Sequence, residues 1–302
     1  MRYLGIVLMT AMLTTGAAAA TGSDDAAYRK EIETWQAKRV ERLKSPNGWL
    51  SLVGLEWLKE GTNTIGSAKD NAIVIAKAPP HLGNIVLDRG KATFSLDPRA
   101  TEAKIDGEKK PGAELADDSQ EKPTTVSFGT VNFYLIKRDD KFGLRIKDSA
   151  ADTRVHFAGI DRFDIDPSWR VEAKWEAYDP PHQIEEANIL GQIDKVTVPG
   201  AATFEHAGRT YKVEPMLENP GDTELFLVFA DRTNGHGSYG AGRFLDAPMP
   251  DAQGRVTLDF NQARNPPCAF TAFATCPLPP PENRLDLAIT AGEKAYHKPA
   301  HS

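Results

Sequence analysis

Side chains that could do chemistry lie close together in the stretch from Asp231 to Glu293. Carboxylates, amides, an arginine, a tyrosine and both cysteines are interleaved there with glycines and prolines. Carboxylates can act as general acids and bases, and a guanidinium can hold a carboxylate or phosphate through two parallel hydrogen bonds. Buried polar groups without partners are costly, so these side chains must pair with one another, with water or with a ligand. We therefore take this block as the candidate functional site.

The first hypothesis is that a small polar or anionic ligand binds in this block. In it, Arg243 grips the anion, Asn261 and Asn265 fix its orientation, and Tyr239 stacks or donates a hydrogen bond. The predicted ligand-binding residues are Thr233, Tyr239, Arg243, Asn261, Asn265 and Asn283. The chain would then be a binding or accessory protein.

Two further hypotheses use the same block differently. In a hydrolase, Asp231 or Asp259 would be the general base and Glu282 the general acid, because paired carboxylates divide these roles when their environments separate their pKa values. In a structural envelope protein without a ligand, Arg243 would instead pair with Asp231 or Asp259 and clamp loops together. The sequence leaves all three hypotheses open.

Two familiar motifs are only formally present. Residues 235–240 spell G-x-G-x-x-G, but a dinucleotide site needs a helix next, and Pro248 and Pro250 follow instead. Ser238 lacks the glycine that precedes the nucleophile in a serine-hydrolase elbow, and no helix follows it. The sequence therefore predicts a glycine-rich loop between strands, and no cofactor.

The two cysteines, Cys268 and Cys276, are eight positions apart, and the sequence predicts a strand over Ala269–Thr275 between them. In one straight strand they would be roughly 26 Å apart, too far for a disulfide. Residues 270–274 contain no glycine or proline that would turn the chain. An exported protein nevertheless favours an oxidised pair, so a disulfide and two separate buried thiols both remain open. No C-x-x-C or H-x-x-x-H spacing supports a metal site, and none is predicted.

The first 20 residues have the pattern of a secretory signal peptide. A basic start at Arg2 precedes a short apolar run and an A-x-A ending at Ala18 and Ala20. We expect cleavage near Ala20, a periplasmic or secreted location, and no stable membrane insertion after cleavage, because the run is shorter than the about 20 residues that span a bilayer. The net charge is −6 and no long basic run occurs, so no nucleic-acid partner is predicted.

A helix is predicted within residues 21–47, following the leader. Apolar side chains recur near the helical period at Tyr28, Ile32, Trp35, Val40 and Leu43, with charges between them. The Ser45-Pro46-Asn47-Gly48 sequence ends it.

The rest of the chain is predicted to be mainly β. Short alternating runs separated by turns indicate a small β-sandwich over residues 48–140. Residues 141–190, with Asp-Pro pairs and few regular periods, are predicted to be a connector. A second β domain, like a barrel or sandwich, is predicted over residues 191–297 and carries the polar block.

Several strings in the chain resemble the family of unknown function DUF1684. They are Gly48–Leu55, Asp231, Thr233, Tyr239–Phe244, Leu258–Asn261, Asn265–Thr271, Ala274–Pro279, Glu282-Asn283 and Ala291–Glu293. The resemblance extends over nearly all of the chain after the leader, and it implies no activity, cofactor or site residue.

Residues 60–137 are similar to a forkhead-associated (FHA) sandwich. Gly66-Ser67 and Pro79-Pro80-His81 stand where that pattern has its phosphopeptide-binding residues, so the likeness implies the fold and not the function.

Overall fold

The computed structural model describes residues 17–219 and 221–297, with side chains from Asp24 onward. Most of the predicted leader lies outside the described residues. Strands make up 43% of the chain and helices 15%, which confirms a mainly β fold. Within the described residues, no helix combines the length and the apolar character needed to cross a membrane.

The long helix α1 (Ala17–Lys44) contains the predicted helix. Ile32 and Leu43, three turns apart, are almost completely buried. Leu43 packs with Leu50, Phe157 and Phe270, so the end of the helix contacts the C-terminal part of the chain. Polar anchors described below fasten the rest of the helix to the same part.

A β-sandwich follows the helix. One sheet has the order β1-β10-β9-β8-β6 and the other β3-β2-β4-β5-β7. Alternation is strict in β4, where every second residue is buried in the core between the sheets. Edge-to-face packing of Phe94 on Phe133 joins the two sheets. The strands are β1 (Leu52–Trp57), β2 (Gly61–Gly66), β3 (Ile73–Val74), β4 (Gly83–Asp88), β5 (Lys91–Leu96), β6 (Lys104–Ile105), β7 (Gly112–Glu114), β8 (Thr125–Phe128), β9 (Val131–Arg138) and β10 (Lys141–Asp148).

Strand β10 lies where the sequence analysis expected a connector. It pairs with β9 along its whole length through the two-residue turn Asp139-Asp140, with Asp139 at φ +55°. The inner face of β10 completes the sandwich core, and its outer face is also largely covered. The sequence of β10 does alternate, with the core residues Phe142, Leu144 and Ile146 separated by polar residues or glycine. The prediction of a connector therefore overlooked a usable strand pattern. The boundaries of separate domains stay a prediction.

The second β region has a four-stranded sheet of order β13-β12-β11-β16 and a two-stranded ribbon of β14 and β15. Apolar residues of both pack into one core with Trp169, Phe204 and Phe260. A four-residue helix, α2 (Asp152–Val155), precedes the region. The strands are β11 (Arg170–Ala187), β12 (Ile193–His206), β13 (Arg209–Val213), β14 (Glu224–Phe229), β15 (Arg243–Pro248) and β16 (Arg255–Asp259).

Strand β11 also occupies part of the predicted connector. Pro180 and Pro181 lie where its pairing with β12 shifts register, between Ala177 and His182. Prolines are tolerated in a strand at such irregular positions because no ladder hydrogen bond is required of them there. The two prolines therefore interrupt the register without ending the strand.

Candidate functional site

Arg243 begins β15, and its guanidinium is completely buried. Its Nη2 donates to Oδ2 of Asp231 at 2.5 Å and to the carbonyl oxygen of Ile289 at 2.9 Å, while Nη1 donates to the carbonyl oxygen of Ala291. Both side chains of this ion pair are 0% exposed. Burial lowers the pKa of Arg243, and the Asp231 carboxylate opposes that shift. We call Arg243, Asp231 and these two carbonyl groups the arginine clamp.

The glycine-rich loop brings Asp231 to Arg243. Oδ1 of Asp231 accepts a hydrogen bond from the backbone N–H of Thr233 at 2.6 Å, and buried Thr233 supports the turn. Gly242, just before Arg243, has φ +103°, and a Cβ there would lie 2.5 Å from the ring of Pro279. Only glycine fits such a position. The predicted loop between strands is therefore observed, and it serves the clamp.

Asp259 and Asn261 belong to a second buried network, which includes the helix. The Tyr28 hydroxyl donates to Asp259 at 2.8 Å and accepts from Nδ2 of Asn261 at 2.8 Å. The backbone N–H of Asp166 donates to Oδ1 of Asn261 at 3.0 Å. Burial raises the pKa of Asp259, while the hydrogen bond from Tyr28 lowers it. These two residues hold α1 against the end of β16.

Asn265 belongs to a third network. Its backbone N–H donates to Oε2 of Glu293 at 2.7 Å, and Nδ2 donates to the carbonyl oxygen of Lys294 at 2.7 Å. Glu293 is 0% exposed and accepts from Nε of Arg39 on α1 at 3.2 Å. This buried ion pair is a second anchor for the helix.

The last two predicted residues are neighbours with different surroundings. Asn283 is fully buried and bridges to the end of β13, exchanging hydrogen bonds of 2.7 and 3.0 Å with the backbone of Glu214. Glu282, beside it, is exposed. Among the described residues, Glu282 shares no hydrogen-bond partner with Asp231 or Asp259. Asp231 and Asp259 are buried within hydrogen-bonded networks, whereas Glu282 is exposed, and the hydrolase roles stay a prediction.

Among the described residues, most of the predicted site residues are thus buried in hydrogen-bonded networks: Arg243 with Asp231, Asp259 with Asn261, Asn265 with Glu293, and Asn283 with Glu214. The structural hypothesis paired Arg243 with Asp231 or Asp259, and the observed partner is Asp231. Ligand binding and catalysis by these residues stay predictions, and the burial of Arg243 does not favour them.

A different set of residues lines an open cavity of about 560 Å³ beside the sandwich. Its floor is the outer face of β10, β9 and β8, where two cross-strand rows lie side by side: Arg145–Tyr134–Thr125 and Lys147–Asn132–Ser127. We call it the junction cavity, because the C-terminal segment approaches its edge through Thr275, whose hydroxyl accepts from Arg145 at 3.5 Å. Its lining residues are Asn47, Asp118, Pro123, Thr125, Ser127, Asn132, Tyr134, Arg145 and Lys147.

The two cations of the junction cavity are not matched by carboxylates. Asp118, the one carboxylate in the lining, lies 4.0 Å from Arg145 and already holds Arg138 at 2.8 Å. Nζ of Lys147 donates to the carbonyl oxygen of Asn47 at 2.6 Å. Burial and the charge of Arg145 lower the pKa of Lys147 to about 8. The cavity is therefore a region of positive potential.

Aromatic rings restrict these cations. The guanidinium carbon of Arg145 lies 5.0 Å from the ring centre of Trp49 and 5.9 Å from that of Tyr134. Nζ of Lys147 lies 5.2 Å from the Tyr134 ring. Ring faces attract cations and hold them in place. The sequence analysis missed Arg145 and Lys147 because they fall in the predicted connector, although two charges at alternate positions of an apolar run were a usable signal.

The segment between the cysteines is not the predicted strand. Turns lie at residue 270 and at residues 272–273, and the chain reverses without glycine or proline in 270–274. The helical turn Pro267–Ala269 begins the reversal, and the Thr271 hydroxyl fixes it on the carbonyl oxygen of Leu52 at 3.0 Å. Cys268 and Cys276 consequently lie together as free thiols, with half-buried Tyr239 beside Cys268. Within the described part of the chain, no group of three or more metal-binding side chains is found.

Comparisons with known proteins identify relatives without an assigned activity. The model of the family "Protein of unknown function (DUF1684)" matches residues 155–294. An uncharacterised protein from gene locus rrnAC0354 of Haloarcula marismortui, solved by NMR, is 33% identical, and the match covers 47% of this chain and 78% of that chain, with a TM-score of 0.40. No curated protein matches the chain.

A structure from a structural and functional analysis of phosphothreonine-dependent FHA domain interactions is 14% identical, and the match covers 31% of this chain and 92% of that chain, with a TM-score of 0.22. At these TM-scores neither structural likeness carries an argument about fold or function. The family model contains the sequence strings from Asp231 to Glu293, and the archaeal relative is 33% identical over 78% of its own length. The chain belongs to the DUF1684 family.

Proposed function

We propose that the protein binds a small organic anion in the junction cavity and acts as a periplasmic or secreted binding or accessory protein. One observation carries the proposal: Arg145 and Lys147 line the same cavity, and the carboxylate nearest to them is already engaged by Arg138. An anion entering the cavity would meet two cations, and the one lining carboxylate, 4.0 Å from Arg145, is shared with Arg138. The proposed ligand is an anion, as in the first hypothesis of the sequence analysis, but the proposed binding residues are Arg145 and Lys147 instead of Arg243.

The lining indicates what else the ligand carries. Thr125, Ser127 and Asn132 offer hydroxyl and amide groups in line with the cations. Ligand pockets commonly measure about 300–1,000 Å³, so the cavity suits a molecule of modest size. We infer an anion with one carboxylate or phosphate and several hydroxyl groups, such as a uronic acid or a sugar phosphate.

The protonation of Lys147 sets the pH range of binding. With a pKa of about 8, Lys147 is largely charged at neutral pH and loses its charge as the pH rises. A bound anion favours the charged form, so binding raises the pKa of Lys147 and takes up protons near that pH. Affinity should therefore fall as the pH increases through about 8.

The test is calorimetric titration of the full chain with glucose 6-phosphate and with glucuronate, using glucose as the uncharged control. We expect at least one of the anions to bind and glucose not to bind. Lys147→Gln should weaken binding at least ~10-fold, because a charge-assisted hydrogen bond contributes about 1.5–3 kcal/mol. Lys141→Gln, on the same strand but exposed, is the matched control and should bind like the wild type.

Three results would overturn the proposal: no binding of either anion, equal binding of glucose, or unchanged affinity in Lys147→Gln. The two anions separate a phosphate from a carboxylate requirement.

The location is tested separately. Fractionation of native cells and N-terminal sequencing should give an exported chain that begins near Thr21. A cytosolic chain that retains Met1 would contradict export and leave the binding site to be tested on its own.

A further inference from the structure

Cys268 and Cys276 occupy neighbouring positions in space. Sγ of Cys276 accepts a hydrogen bond from the backbone N–H of Cys268 at 3.1 Å. The sulfur of Cys268 is only three bonds from that nitrogen, so the two thiols are within reach of each other. Both are free in the structure.

The segment that carries the thiols is fastened at both ends. The Thr271 hydroxyl donates to the carbonyl oxygen of Leu52, and the carbonyl oxygen of Cys276 accepts from the N–H of Ile189 at 2.9 Å. Leu278 is tied to the carbonyl oxygen of Ala187 at 2.9 Å. The thiols are therefore held together by the surrounding fold and do not depend on a flexible loop to meet.

The surroundings make the two sulfurs unequal. Cys276 is almost completely buried, whereas Cys268 is partly exposed. A hydrogen bond from the Cys276 thiol lowers the pKa of Cys268, and a hydrogen bond from the Tyr239 hydroxyl lowers it further. The hydrogen bond to Cys268 and burial raise the pKa of Cys276. Since the thiolate is the reactive form, Cys268 is the better nucleophile and the more accessible one.

We propose that Cys268 and Cys276 form a reversible dithiol–disulfide pair in which Cys268 reacts first with a low-molecular-weight disulfide. The Cys268 thiolate attacks one sulfur of that disulfide, a mixed disulfide forms, and the first thiolate leaves. Cys276 then loses its proton and attacks Sγ of Cys268, and the second thiolate leaves. Two cysteine thiols are oxidised, one external disulfide is reduced to two thiols, and the protons pass to the leaving groups through solvent.

The position of Tyr239 gives the proposal a specific signature. A hydroxyl that stabilises the Cys268 thiolate should make this thiol react at lower pH than an ordinary cysteine. The proposal depends on this cluster alone and does not depend on a ligand in the junction cavity.

The experiment uses the reduced full chain in buffered mixtures of oxidised and reduced glutathione, followed by alkylation and peptide mapping. We expect one intramolecular bond between the peptides of Cys268 and Cys276, with a loss of about 2 Da from the two hydrogens removed. Early samples should carry glutathione on Cys268. In Cys276→Ser that adduct should persist, and in Cys268→Ser the remaining thiol should react at least ~10-fold more slowly because it is buried and protonated.

Tyr239→Phe should move the pH profile of Cys268 alkylation to higher pH and still permit the final disulfide. Tyr296→Phe, which removes a half-buried hydroxyl from another cluster, should leave the profile unchanged. A merely structural role for Tyr239 would not move the profile.

Failure of the folded protein to form the linked peptide would overturn the proposal, as would first attack by Cys276. Equal reaction rates of the two single-cysteine variants would overturn the assigned order. Retained near-ultraviolet circular dichroism of each variant shows that the fold is intact for these comparisons.

Discussion

Arg243 and Arg145 are both buried arginines, and their surroundings differ in kind. Arg243 is 0% exposed and has the Asp231 carboxylate at 2.5 Å and two backbone carbonyl groups. Arg145 is 5% exposed, and its nearest carboxylate, 4.0 Å away, already holds Arg138. Among the described residues, Nε of both arginines is without a partner, so the difference lies at the terminal nitrogens.

Burial alone therefore does not show whether an arginine binds a ligand, because Arg243 and Arg145 are both buried and have different neighbours. A buried charge whose neighbours neutralise it stabilises the fold, and removing one member leaves the other stranded. A buried cation with a cationic neighbour and an engaged carboxylate retains its potential for an external anion.

The largest expected effect is on the arginine clamp. Arg243→Met leaves Asp231 buried without its cation and should reduce the free energy of unfolding by about 3–5 kcal/mol. Urea denaturation measures the change. Arg232→Met removes an arginine from an exposed ion pair with Asp286 and should cost less than about 1 kcal/mol. If Arg243→Met were as stable as the wild type, the assignment of a stabilising role to Arg243 would be wrong.

A smaller effect is expected where α1 is anchored. Tyr28→Phe removes the hydroxyl that donates to Asp259 and should cost about 1 kcal/mol in the free energy of unfolding, since Asp259 keeps its bonds from Asn261. Tyr211→Phe is the control, because the Tyr211 hydroxyl makes no hydrogen bond within the described residues. Equal stability of both variants would show that the helix anchor does not depend on this hydroxyl.

Glu186 resembles Arg145 with the charges reversed: it is a buried acid whose neighbours Glu218 and Asp194 are also acids. Burial, followed by the charges of Glu218 and Asp194, raises its pKa from 4.5 to about 7. The folded state then binds a proton that the unfolded state releases, so stability falls as the pH rises from 4.5 towards 7. Glu186→Gln should flatten this decline, measured as urea midpoints across that range. Exposed Glu185→Gln should keep the decline, and an unchanged slope in Glu186→Gln would contradict the assignment.

The smallest expected effect is on the pKa of Lys147 in the junction cavity. Arg145→Gln removes the charge that helps to depress the pKa of Lys147, so this pKa should rise from about 8 towards the ordinary lysine value. NMR titration of reductively methylated lysines follows it. Arg99→Gln, at an exposed pair with Asp97, should leave it in place. An unchanged pKa of Lys147 would mean that burial alone lowers it.

Much of the fold could be predicted from local pattern. The helical spacing of Ile32 and Leu43 predicted α1, and short strand-like runs between turn residues predicted strands such as β4. Strand β10 was missed although Phe142, Leu144 and Ile146 alternate with polar residues or glycine. The turn between the cysteines was missed because a threonine hydroxyl and a helical turn replace glycine or proline there. Within the candidate site, the sequence predicted that Arg243 pairs with an aspartate or binds a ligand.

Most helices, strands and turns follow from steric preferences and periodicity among near neighbours, so the sequence by itself indicated α1 and strands such as β4. The tertiary structure alone decided which charge neutralises which. It paired Arg243 with Asp231 and placed the Tyr28 hydroxyl against Asp259, 231 positions away in the chain. Pairing of this kind depends on where distant segments pack, because a charge interacts with whatever lies within a few ångströms, however far away in the chain.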